Sequence, residues 1–101
     1  MIKKILPKEL KNMVDSYSGN DSWEKFSQCF DVDEKVVAKI TSRYNLEPSV
    51  SRVLEWHIGE EYVDEWLNKK IPALEKFRPI NLLENYEGGE ICIRVVLRRM
   101  H

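Results

Sequence analysis

The feature that most constrains this chain is its punctuation. Proline and glycine recur at Pro7, Gly19, Pro48, Gly59, Pro72, Pro79 and Gly88-Gly89, cutting the 101 residues into short segments. Within most segments the apolar residues fall three and four apart, the spacing of one helix face. A short helix cannot bury its apolar stripe alone and gains most of its stability by packing against others. The pattern therefore predicts a small, compact, all-α domain.

The segments can be followed in order. Pro7 suits a first helical turn, and Leu10, Met13, Val14 and Tyr17 carry the stripe to the Ser16–Asn20 stretch. Asp21 or Ser22 can cap a second helix through Phe30, and its narrow stripe of Trp23, Phe26 and Phe30 reads as core. Asp33 can cap a third, with Val36, Val37, Ile40 and Tyr44 inward, ending at Asn45-Leu46-Glu47-Pro48. A fourth runs from Pro48 or Ser49 to about Ile58, facing Val50, Val53, Leu54 and His57 inward. A fifth, from Glu60 to about Asn68, buries Tyr62, Val63, Trp66 and Leu67. Residues 69–78 read as a loop pinned by Ile71, Leu74 and Phe77, and Pro79 opens a helical turn through Leu83.

The last segment satisfies two periods. Ile91, Ile93, Val95 and Leu97 alternate like a strand, while Ile91, Val95, Val96 and Met100 form a helical stripe. No partner strand is evident elsewhere, and an isolated strand leaves its backbone groups unpaired. Helix is the expectation.

Charge narrows the function classes. The net charge is −1, and the halves are balanced, which argues against bulk nucleic-acid affinity through charge alone. Local clusters remain, acidic at Glu60, Glu61, Asp64 and Glu65 and basic at Arg94, Arg98 and Arg99. No apolar run approaches a membrane span, and no signal-peptide stretch follows the basic start, so a cytoplasmic protein is expected. Cys29 and Cys92 stand in no metal-ligand spacing and read as small buried thiols.

Catalysis needs convergent groups, and the sequence offers none. His57 lies on an apolar face and reads as a core or boundary histidine. Asp31 and Asp33 lack the glycine and glutamate of a calcium loop. Gly88-Gly89 has neither the preceding strand nor the lysine of a phosphate loop. The expectation is a binding protein, not an enzyme, with no cofactor and no metal.

Two constellations speak to what is bound. Residues 40–54 look like a helix-turn-helix unit, with Asn45 in the turn where a glycine is usual. On that reading Ser49, Ser51 and Arg52, at the start of the second helix, contact operator DNA.

The second constellation runs Trp66-Leu67, Pro72-Ala73-Leu74, Arg78-Pro79-Ile80-Asn81-Leu82-Leu83, Glu87-Gly88-Gly89, then Val96-Leu97-Arg98-Arg99. In this order it resembles the C-terminal toxin-binding domain of the Xre/MbcA/ParS-type antitoxins. The matched positions, Trp66, Leu67, Leu74, Pro79, Leu82, Leu83 and Gly88, are scaffold. The chain departs from that pattern at Glu75-Lys76, where glycines are common, in a shortened stretch between Arg52 and Trp66, and in an end soon after Arg99.

The resemblance implies a single domain over 1–101, with a helix-turn-helix-like half (1–58) and a toxin-binding half (59–101). It implies an antitoxin of a type II toxin–antitoxin module, blocking a partner toxin that acts on or with NAD. It also implies a homodimer or hetero-oligomer with that toxin, and repression of the module's own promoter. Arg94, Arg98, Arg99 and His101 are the expected toxin contacts, because arginine's planar fork pairs bidentately with carboxylates. The rival readings are a DNA-binding regulator without a toxin and a small inhibitor of another enzyme.

Overall fold

In the computed structural model, which describes residues 2–100, the regular elements are all helical. They are α1 (Lys8–Asp15), α2 (Asn20–Ser27), α3 (Glu34–Tyr44), α4 (Pro48–His57), α5 (Glu60–Leu67), α6 (Pro79–Asn85) and α7 (Gly89–Arg99), with a 3-10 turn at Pro72–Leu74 between α5 and α6. The expected all-α class is observed, and the doubtful last segment is the helix α7.

α7 occupies the middle of the molecule. Cys92 through Leu97 are buried without interruption, and the helix packs against α1, α4, α6 and the 3-10 turn. A helix buried this fully loses the polar half of its pattern, which is why its sequence satisfied two periods at once. Burying a side chain such as Ile93 or Leu97 contributes about 1.5–3 kcal/mol. α4 is the second hub, touching α2, α3, α5 and α7. The contacts of α7 with α1 and α4 cross the residue-58 boundary, so both halves share one apolar cluster.

The two adjacent glycines do different work. Gly88 sits at φ 80°, a left-handed conformation that turns the chain into α7. Gly89 has ordinary φ but no room: a Cβ there would lie 1.9 Å from the carbonyl oxygen of Leu82. α6 and α7 therefore meet backbone to backbone.

Local signals behaved unevenly. Asp33 caps α3 as expected, its carboxylate accepting a hydrogen bond from the Lys35 amide at 2.9 Å. Asn45 ends α3 in the left-handed conformation that the missing glycine would have supplied. Pro79 opens α6, whereas Pro7 stands just before α1 as its cap.

Three expectations are corrected. α2 begins at Asn20 behind Gly19, so Asp21 and Ser22 lie inside it, and it stops at Ser27. The turn that follows carries Cys29 to the surface, and only Cys92 is a buried thiol. Tyr62 is 58% exposed, because α5 buries the i,i+4 pair Val63 and Leu67 and turns its neighbour outward. No helix among the described residues is long and apolar enough to cross a membrane.

Candidate functional site

Arg94 and Arg98 lie one turn apart on α7, on the ridge that faces α2. α2 answers with Trp23 and Phe26, three residues apart. The Arg94 guanidinium stands 5.4 Å from the Trp23 ring centroid, and that of Arg98 stands 4.8 Å from Phe26. Each is a cation–π contact between two helices distant in sequence.

The two arginines are held differently. Arg94 is 8% exposed and donates to the Tyr17 hydroxyl (2.8 Å), to Asn20 Oδ1 (3.3 Å) and to Glu90 Oε2 (3.0 Å). Its Nε is buried with no hydrogen-bond partner. Arg98 is exposed and donates to the Ser22 carbonyl at 3.3 Å. Arg99 and Met100 follow it into solvent. A cleft of about 330 Å³ opens here, lined by Tyr17, Trp23, Arg94, Arg98 and Arg99 together with Ser16, Ser18 and Val95.

The expected toxin contacts therefore divide. Arg98 and Arg99 are presented at the end of α7. Arg94 is turned largely inward: it ties α7 to Tyr17 and to α2, its long side chain lying along the Trp23 face, and it still forms part of the cleft wall. His101 lies outside the described residues.

The residues expected to contact DNA are engaged within the fold. Ser49 and Ser51 are buried, the first accepting from Trp23 Nε1 at 2.8 Å and the second from the Thr41 hydroxyl at 2.8 Å. Arg52 is half-buried, bonded to the Phe30 carbonyl at 3.2 Å and paired with Glu34. Small hydroxyls at the start of α4 suit close packing between helices as well as they suit phosphate. Here they face α2 and α3.

The residues of the C-terminal constellation are largely inside. Leu67, Leu74, Leu82 and Pro79 are buried, while Trp66 and Leu83 are half-buried against the same cluster. Between Leu74 and Phe77 the chain reverses through Glu75 (φ 53°) and Lys76 (φ 65°), both left-handed. These are the two positions at which the sequence departed from glycine, and the backbone there adopts glycine's conformation all the same. The reversal is closed by the Lys76 amide bonding the Ile71 carbonyl at 2.9 Å, and the Ile71 amide that of Phe77 at 3.1 Å.

Elsewhere three ionisable groups have structural partners. His57 Nδ1 is 3.3 Å from the Val53 carbonyl, with its ring edge-on to Phe30. The Tyr44 hydroxyl is pushed up by burial and by its hydrogen bond to Asp64. The Lys39 ammonium is raised by its hydrogen bond to Glu60. Among the described residues no group of three or more His, Cys, Asp or Glu is placed to hold a metal ion.

Tyr17, Trp23 and Phe26 are the site residues that sequence reasoning missed. The i,i+4 arginines and the i,i+3 aromatics were each visible, but nothing in either stripe showed that they meet. The chain matches no protein-family model, no curated protein and no solved structure.

Proposed function

We propose that this chain is an antitoxin that works by protein–protein binding, seating the exposed end of α7 on a partner toxin that acts on or with NAD and blocking its active site. The observation that carries the reading is the form of that end. Arg98, Arg99 and Met100 project beside an aromatic-walled cleft, on a helix otherwise anchored throughout the core. A rigid, centrally anchored element with exposed arginine is the arrangement from which interface hot spots are made.

The reversal at Glu75-Lys76 adds support. The ordered pieces from Trp66 to Arg99 resemble the toxin-binding domain, and the two residues that break the pattern keep the backbone that glycine would adopt. Repression through the first turn of α4 is the weaker half of the expectation, since Ser49, Ser51 and Arg52 are occupied by α2, α3 and the Phe30 carbonyl.

The test is capture of the partner by tagged full-length chain from its native lysate, followed by an NAD-consumption assay on the separated partner. A single small enzyme whose NAD turnover falls as the chain is added back is the expected result. Capture of no such enzyme, with retention of one specific promoter fragment, moves the function to a DNA-binding regulator.

A further inference from the structure

Resting on that reading, and deepening it, we propose that the cleft between α2 and the end of α7 is a receptor for one acidic side chain of the partner, an aspartate or glutamate carboxylate. Three guanidiniums line this cleft, and the ion pair formed there is that of Arg94 with Glu90. Arg98 and Arg99 have no carboxylate within ion-pair distance among the described residues. The face thus carries excess positive charge in a chain whose net charge is −1.

The cleft is positively charged from its wall to its rim. Arg94 is more than nine-tenths buried, lines the cleft, and keeps its Nε without a hydrogen-bond partner. That Nε is sealed from solvent, so the groups open to an incoming acceptor are the exposed Arg98 and Arg99 guanidiniums, with the Arg94 charge behind them. The Tyr17 hydroxyl and the Trp23 ring hold the Arg94 guanidinium in place from two sides, so little side-chain freedom is lost on binding. Arg98, stacked on Phe26, and the unencumbered Arg99 form the outer rim.

Size and surroundings select a carboxylate on a protein over a nucleic acid. About 330 Å³ has room for a carboxylate side chain, and exposed Met100 follows Arg99 along the chain. A phosphate backbone instead needs cations spread along a track. The charges of this chain are balanced between its halves, and three of its six arginines are gathered at this cleft.

The inference is tested on the 15N-labelled full-length chain by following the arginine Nε–H resonances during titration. The probes are N-acetyl-tetraglutamate amide, inorganic phosphate and a short DNA duplex. The expected result is a saturable shift of the Arg98 and Arg99 signals with the peptide, the Arg98 response weakened about tenfold or more by Arg99→Glu. Arg99 is exposed and makes no hydrogen bond or ion pair among the described residues, so this variant keeps the fold, and an unchanged amide spectrum away from α7 verifies that.

Signals unmoved by the peptide, a peptide affinity indifferent to Arg99→Glu, or response to phosphate or duplex at lower concentration would each overturn it. The two proposals fail separately. A peptide site in a chain that captures no NAD-acting enzyme sinks the antitoxin reading alone. Capture of the enzyme with no peptide response sinks the carboxylate receptor alone.

Discussion

The first turn of α4 and the last turn of α7 both carry polar residues that suit partner recognition, yet the fold treats them in opposite ways. At α4 the side chains of Ser49 and Ser51 are sealed inside and spent on Trp23 and Thr41. At α7 the helix runs through the core and then emerges, releasing Arg98, Arg99 and Met100 to solvent. The difference is one of reach. A serine hydroxyl sits close to its backbone and follows wherever the helix packs, whereas arginine can leave a buried helix and still reach the surface. Arg94, one turn earlier, is the intermediate case, with its stem buried and its head bound to neighbours.

The comparison can be broken by substitution. The largest effect is expected from Gly89→Ala, which fixes nothing in the turn but drives a methyl group into the Leu82 carbonyl. Parting α6 from α7 costs about 3 kcal/mol, measured by urea denaturation, and a neutral result would mean that the helices are not in backbone contact. Ser49→Ala comes next. It strands the buried Trp23 indole N–H and costs about 2 kcal/mol, whereas a serine free to meet DNA would cost nothing in the absence of DNA. Ser51→Ala, which strands the half-buried Thr41 hydroxyl, costs about 1 kcal/mol.

The two cysteines repeat the contrast between inside and outside. Cys29 should react with a thiol reagent in the folded protein and Cys92 only after unfolding. Burial pushes the Cys92 thiol up to about 11 from its ordinary value of 9.0, so folding favours the neutral thiol. Its contribution to stability is therefore full below pH 9.0 and is lost as the pH rises through about 11. Replacing Cys92 by alanine should flatten that alkaline fall, and an unchanged fall would assign it to other groups. The smallest effect on stability, under about 0.5 kcal/mol, is expected for exposed Arg99→Glu, which gives up no hydrogen bond or ion pair among the described residues.

Much of the fold was legible because helix stripes and their breakers are local. Asp33, Asn45 and Pro79 each marked a real boundary, and the Leu67, Leu74 and Leu82 anchors all reached the core. What was illegible depended on which faces meet. The stripe on α2 announced Trp23 and Phe26 as apolar, but not that one face of each ring would receive an arginine from α7. Nor could hydroxyl content alone separate a serine that meets a phosphate from one that meets an indole. Glu75 and Lys76 show the limit from the other side: tertiary closure through Ile71 and Phe77 imposes a left-handed backbone that neither residue prefers.

The central claim is that the end of α7 binds a partner while the start of α4 serves the fold. It is tested most directly by calorimetric titration of the isolated NAD-acting partner with wild-type chain and with the Arg98→Glu, Arg99→Glu double variant. The account predicts a variant that still melts cooperatively, a few degrees lower for the lost Arg98 contacts with Phe26 and Ser22, and an affinity for the partner lower by about tenfold or more. Equal affinity of the two proteins would remove α7 from the interface and contradict it.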